Sequence, residues 1–138
     1  MNSAPRILLV EDDEDDLFLV QRILKKAGLT AIHHVGDGRR ALEYLQGHDA
    51  FAHRAAQPLP DVMLVDLKIP FVNGHQVLEW LGTQPQLKGI RAYILSSSGE
   101  DRDRERAHAA GAAGYFVKPL TAADIARFMA ETSLAAPS

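Results

Sequence analysis

Short apolar runs alternate along the chain with stretches whose apolar residues recur at helical spacing. Residues 7–10, Ile-Leu-Leu-Val, are apolar without interruption, as a strand covered on both faces should be. Leu17, Val20, Ile23, Leu24 and Ala27 then recur at intervals of three, four and seven. That spacing predicts a helix with one buried stripe, ending at Gly28, with Asp13 to Asp16 in its first turn. Residues 31–35 predict a weaker, more polar strand, Asp37-Gly38 a turn before a helix through Ala41, Leu42 and Leu45, and residues 47–60 a loop. Residues 62–65 read as a third strand, 74–81 as a helix with Val77, Leu78 and Leu81 inward, 92–95 as a fourth strand and 100–110 as a polar, alanine-rich helix. Residues 115–117 are the fifth strand, Thr121 caps a last helix carrying Ile125, Phe128 and Met129, and residues 135–138 are expected to fray.

Five strands, each followed by a helix, predict an α/β fold: a doubly wound, five-stranded parallel sheet with right-handed crossovers and helices on both faces. His33 and His34 make the second strand the least apolar, so it belongs at an edge. That suits the strand order 2-1-3-4-5, whose switch point lies between strands one and three. At 138 residues the chain is expected to be a single domain over 1–138, with its core at about 6–133 and no room for a separate output domain.

Composition narrows the class. With 46% hydrophobic and 24% charged residues, disorder is excluded for most of the chain. There is no run of about 18 apolar residues, and residues 1–6 carry no basic region with a cleavage site, so a cytoplasmic protein with no membrane partner is expected. The absence of cysteine excludes disulfides, thiolate zinc sites and a cysteine nucleophile. A net charge of -3 without a basic stripe argues against a nucleic-acid partner.

The unusual polar residues fall at strand ends: Glu11 and Asp12 after strand one, Asp66 after strand three, Ser96 after strand four and Lys118 after strand five. In a doubly wound sheet those ends converge on one crevice, to which the edge strand alone is expected to contribute nothing. Any one of them could simply cap a buried strand, but five at four strand ends form a constellation. Its carboxylates repel, at about 4 kcal/mol for two unit charges ~4 Å apart at an effective dielectric near 20. A hard divalent cation such as Mg²⁺, which takes carboxylate oxygens, waters and a phosphate oxygen, would compensate. Lys118 and Ser96 then offer a cation and a hydroxyl donor to a second anion. The set describes phosphoryl transfer onto Asp66 by in-line attack of its carboxylate.

Residues 7–13 (Ile-Leu-Leu-Val-Glu-Asp-Asp), Asp37-Gly38 with Ala41-Leu42, Asp66-Leu67-Lys68-Ile69-Pro70 running to Gly74, Leu95-Ser96, and Gly111-Ala112 through Gly114-Tyr115 to Lys118-Pro119 together resemble a response-regulator receiver domain of two-component signalling. The resemblance covers residues 6 to about 133, and the separations of Ser96 and Lys118 from Asp66 match the family. It implies a flavodoxin-like (βα)5 fold, with Asp66 as phosphoacceptor for a sensor histidine kinase. It implies that Glu11, Asp12, Asp66 and the Lys68 backbone carbonyl hold Mg²⁺, that Ser96 and Lys118 contact the phosphoryl group, that Ser96 and Tyr115 form the switch, and that the Lys118–Pro119 peptide is cis. A signalling module is implied rather than an enzyme, although one that supports its own phosphorylation and dephosphorylation. The family contains single-domain members that partner phytochrome-type histidine kinases, and a long loop before strand three, here residues 47–60, is common among them. Output is expected through the fourth helix, fifth strand and fifth helix, as a homodimer face or a partner face. Two positions depart from the pattern. Lys68 stands where the family often has Asn or another small polar residue, and Arg91 stands where many members have proline.

Other readings are weaker. An aspartate-nucleophile phosphatase would carry a second aspartate two positions after Asp66, where this chain has Lys68. A flavin binder needs a first loop that cradles phosphate, and the acidic residues 11–16 would repel one. A receiver-like module that binds partners without phosphorylation is opposed by the complete set of Asp66, Glu11, Asp12, Ser96 and Lys118. The histidines at 33, 34, 48, 53, 75 and 108 form no pair at a helical metal-binding interval and read as surface residues. Alternating charges at residues 102–106 read as a solvated face, and Trp80 as the rim of a helix–sheet contact. Ala107 and Ala110 give the fourth helix only a thin apolar stripe, which makes it a candidate for motion.

Overall fold

The computed structural model describes residues 5–47 and 59–135, with side chains as far as residue 131. Strands and helices alternate in the order β1 (Ile7–Val10), α1 (Glu14–Lys26), β2 (Ile32–Val35), α2 (Gly38–Gln46), β3 (Val62–Asp66), α3 (Gly74–Gly82), β4 (Arg91–Ser96), α4 (Asp101–Ala109), β5 (Gly114–Val117) and α5 (Ala122–Ala135). The strands form one parallel sheet in the order β2-β1-β3-β4-β5, as their polarity predicts. A 3-10 turn at Pro85–Leu87 precedes β4; three residues are too few to show a period, so the hydrophobic pattern gave no sign of it. Most of the predicted loop, residues 48–58 with His48 and His53, lies outside the described residues, as do residues 136–138. The expected fraying does not include Ala135, which α5 retains.

Alternate strand residues serve two cores. Leu8, Val10, Met63, Val65 and Ile94 pack with residues of α2, α3 and α4, whereas Ile7, Leu9, Val62, Leu64, Tyr93, Leu95 and Phe116 pack with residues of α1 and α5. This is why β1 and β3 are apolar at every position while β2, paired on one side only, is half-buried.

Polar caps fix where α1, α2, α3 and α5 leave their strands, whereas Glu100 at the start of α4 makes no side-chain cap. Asp13 is the N-cap of α1, one position earlier than the first turn predicted for it, and its Oδ1 accepts from the Asp16 N–H at 3.0 Å. Asp37 caps α2, and Asn73 with Gln76 forms a reciprocal capping box on α3. Asp124 N–H donates to Thr121 Oγ1 at 3.2 Å. At Gly38 a Cβ would fall 1.8 Å from the Val72 carbonyl oxygen, so α2 starts in direct contact with the β3–α3 loop. That loop holds exposed Phe71 at φ 69°, with the Arg39 guanidinium 4.6 Å from its ring centroid.

The reading of the histidines as surface residues fails at His75, which is 3% exposed. The start of α3 is pressed into the end of β3, where a Cβ on Gly74 would lie 2.9 Å from the Asp66 backbone oxygen, and His75 is carried inside with it. Its Nδ1 has no hydrogen-bond partner among the described residues. His33 and His34 are half-buried, His33 with its ring centroid 4.5 Å from that of Tyr44, and His108 is exposed. Trp80 does lie half-buried at the rim of the core on the α3 side, and within α4 only Ala107 is fully buried.

Burial, with a contribution from Arg106 and opposition from Asp103 and Glu79, holds the His75 imidazole below its ordinary 6.5. The unfolded chain therefore takes up the proton first, so this group's contribution falls as pH drops through 6.5. Urea unfolding at about pH 5.5 and about pH 7.5 should show a larger loss on acidification in wild type than in His75→Gln. Equal losses would contradict the assignment.

Candidate functional site

The ends of β1, β3, β4 and β5 meet in one crevice. Asp66, the last residue of β3, is 7% exposed; its Oδ1 accepts from the Lys68 N–H at 3.0 Å and its Oδ2 from Lys118 Nζ at 2.6 Å. Lys118 follows β5, where its backbone N–H donates to the Ser96 carbonyl at 2.8 Å. The same Nζ donates to Glu11 Oε1 at 2.9 Å and to Asp16 Oδ2 at 2.7 Å. Glu11 is buried, and its Oε2 accepts from the Asp13 N–H at 3.2 Å, whereas Asp12 is exposed. Carboxylate oxygens of Glu11, Asp12 and Asp66 lie within 4.8 Å of one another. Ser96 is buried with its Oγ accepting from the Ser98 N–H at 3.0 Å, and the Lys118–Pro119 peptide is cis.

One ammonium faces more negative charge than it can neutralise. Burial, a hydrogen bond shared with Asp66 and repulsion by Asp66 push the Glu11 carboxyl up to about 7, against the opposing pull of Lys118 and the Asp13 N–H. Burial works to lower the Lys118 ammonium, but the hydrogen bonds it donates to Asp16, Asp66 and Glu11 outweigh it and hold the group above its ordinary value. A pocket short of positive charge and lined by hard oxygen donors fits a divalent cation such as Mg²⁺.

The structure adds three residues to the predicted set. Asp16 joins the crevice because the first turn of α1 carries it back over Lys118; in a sequence it is one of six consecutive acidic residues, with nothing to single it out. His34 corrects the expectation that the edge strand contributes nothing. Its Nε2 lies 2.7 Å from the Glu11 backbone oxygen, which can only accept, so Nε2 carries the proton and the β1–α1 turn is tied to β2. Ser98 is the third: its carbonyl accepts from the Tyr115 hydroxyl at 2.7 Å and its Oγ donates to Asp103 Oδ2 at 2.6 Å. Tyr115 is half-buried, with the Arg104 guanidinium 5.0 Å from its ring centroid.

The family model for the response regulator receiver domain matches residues 7–130. The chain belongs to this family. It is 35% identical over 126 residues to the probable methanogenesis regulatory protein FilR2 of Methanothrix harundinacea (strain 6Ac), covering 91% of this chain and 79% of that protein. It spans 52% of the length of other curated relatives that it matches. Among solved structures, the bacteriophytochrome response regulator RtBRR superposes with a TM-score of 0.81 at 36% identity, over 94% of this chain and 78% of that one. The Mn(2+)-bound form of response regulator Rcp1 superposes with a TM-score of 0.74 at 29% identity, over 90% of this chain and 88% of that one. The receiver domain's acidic pocket of Glu11, Asp12 and Asp66 could hold a metal ion. Among the described residues no helix is long and apolar enough to cross a membrane.

A cation that binds only the folded receiver domain stabilises it, by about 2.7 kcal/mol at 100 times its dissociation constant. Mg²⁺ should therefore raise the melting temperature measured by circular dichroism, and Asp12→Asn should lose most of the rise. The same rise in both proteins would remove Asp12 from the site.

Proposed function

We propose that this receiver domain accepts a phosphoryl group on Asp66 from a sensor histidine kinase, with Mg²⁺, and signals by changing its own protein-binding surface. The observation that carries the reading is the Asp66 carboxylate: nearly buried at a strand end, bonded by Lys118 Nζ and the Lys68 N–H, and sharing a pocket with Glu11 and Asp12. In the transfer an Asp66 oxygen forms a bond to phosphorus while the phosphorus–nitrogen bond of the phosphohistidine breaks, and the departing nitrogen keeps the electron pair. The Lys68 N–H and Lys118 orient the carboxylate for attack. Lys118 and the Ser96 hydroxyl then donate to phosphoryl oxygens. Glu11, Asp12, Asp66 and the Lys68 carbonyl would hold Mg²⁺, which when bound neutralises charge on the transferring group.

The phytochrome and bacteriophytochrome response regulators among the structural relatives support a phytochrome-type kinase as donor. The same reading puts the protein in the cytoplasm, where a phosphohistidine donor and free Mg²⁺ meet. Output runs through Ser98, which hydrogen-bonds to Ser96, Tyr115 and Asp103 of α4. Drawing Ser96 toward the phosphoryl group would disturb Tyr115 and the thinly packed α4, so the α4–β5–α5 face is where a second copy or a partner would sense the change. A phosphatase reading lacks its second acid, since exposed Lys68 takes that place. A phosphorylation-independent module gives no reason for the full set of charged residues around Asp66.

Incubation with a small phosphodonor and Mg²⁺ should add one phosphoryl group by mass spectrometry, and none to Asp66→Asn. Full labelling in excess chelator would overturn the metal's role. The long cationic side chain of Lys68 crowds the line of water attack and pairs with the acyl phosphate, so Lys68→Asn should shorten the phosphoryl lifetime. A lifetime equal to or longer than wild type's rejects that role.

A further inference from the structure

All three N–H donors of Lys118 are engaged, and one of them holds Asp16, a residue with no part in orienting Asp66. Nζ lies 2.9 Å from Glu11, 2.7 Å from Asp16 and 2.6 Å from Asp66. An ammonium has no fourth donor. A phosphoryl oxygen therefore reaches Lys118 only as one of these acceptors lets go, and the three are not equivalent. The Glu11 and Asp66 side chains are 0% and 10% exposed, so losing the ammonium would strand a charge in a desolvated pocket. The Asp16 side chain is 37% exposed and borders an open cleft of about 790 Å³ between α1 and the segment after β5. It also lies in the first turn of α1, where unpaired backbone N–H groups favour a carboxylate. Water and the helix end can take over from Lys118 at little cost.

We propose that Asp16 is an exchangeable counter-ion that occupies the third donor of Lys118, yields it to a phosphoryl oxygen, and by competing slows the phosphorylation of Asp66. The inference rests on the phosphoacceptor reading above. In the step itself the Asp66 oxygen–phosphorus bond forms, the phosphorus–nitrogen bond of the donor breaks, and the leaving nitrogen keeps the pair and takes a proton from water. Lys118 loses no proton; one N–H turns from Asp16 to the phosphoryl group. The Asp16 charge also opposes the incoming dianion directly, so both effects act in the same direction. Asp16 is a positioning residue acting through Lys118.

Three variants separate contact from charge: Asp16→Asn, Asp16→Glu, and Asp15→Asn, which removes the same charge from an exposed position on the same turn. For each, the phosphorylation rate with phosphoramidate and Mg²⁺, the affinity for beryllofluoride as a phosphoryl mimic, and the affinity for Mg²⁺ alone are measured. Asp16→Asn should be phosphorylated about five- to tenfold faster than wild type and bind beryllofluoride more tightly by a similar factor, the scale of one partly exposed ion pair. Asp16→Glu and Asp15→Asn should stay within about twofold of wild type, and the Mg²⁺ affinities of the two Asn variants should agree within about twofold. A rate for Asp16→Asn no greater than that of Asp15→Asn, or an Asp16→Glu protein as fast as Asp16→Asn, overturns the exchange. Wild type that takes up neither phosphoryl group nor beryllofluoride overturns the phosphoacceptor reading and this inference with it, whereas labelled wild type with an unresponsive Asp16→Asn overturns this inference alone.

Discussion

The ammonium of Lys118 joins segments that are distant in sequence: Glu11 beyond β1, Asp16 on α1 and Asp66 at the end of β3. Its own backbone is held to β4 through the Ser96 carbonyl. Buried carboxylates are tolerated in a protein interior only when paired, because each otherwise bears a desolvation penalty of several kcal/mol. With Lys118 in place, Glu11 and Asp66 can sit side by side at the centre of the crevice; without it, two buried acids would face each other with little to separate their charges. The geometry of the acidic pocket, the setting of the first turn of α1 and the approach of β5 to β4 therefore share one cation.

That arrangement is held in deliberate imbalance. Apart from the unpaired His75 Nδ1 and the left-handed Phe71, the described residues largely follow their local preferences: apolar strands between two cores, polar caps at the starts of α1, α2, α3 and α5, and most charged residues outside. At the crevice the chain gathers more negative charge than Lys118 can neutralise, and burial, together with the neighbouring Asp66, pushes Glu11 up to about 7. Local departures of this kind mark the places where a fold has been shaped by what it binds as well as by stability. This departure lies at the ends of β1, β3 and β5, above the five-stranded sheet.

The connection from the crevice to the surface is short. Ser98 hydrogen-bonds to Ser96 on one side and to Tyr115 and Asp103 on the other, and α4 is fixed to the sheet chiefly by Ala107. A helix with so little buried apolar surface gains little hydrophobic stabilisation from the sheet. The receiver domain thus places a thinly packed helix beside Ser98, whose N–H holds the Ser96 hydroxyl.

The strands, helices, sheet order and charged strand ends were all legible in the chain, because burial on two faces forces uninterrupted apolar strands and a helix must show its period. Glu11, Asp12, Asp66, Ser96 and Lys118 could be picked out as polar residues interrupting those runs. Packing alone decided the rest. Asp16 is indistinguishable from its acidic neighbours until the helix turn sets it over Lys118, and His34 reads as an edge-strand histidine until its ring meets the Glu11 carbonyl. His75 follows the same rule: its position on α3 is local, but its burial depends on how closely Gly74 lets the helix approach β3. A sequence fixes which residues share a face of one element, whereas contacts between elements depend on distances of a few ångströms that no periodicity encodes.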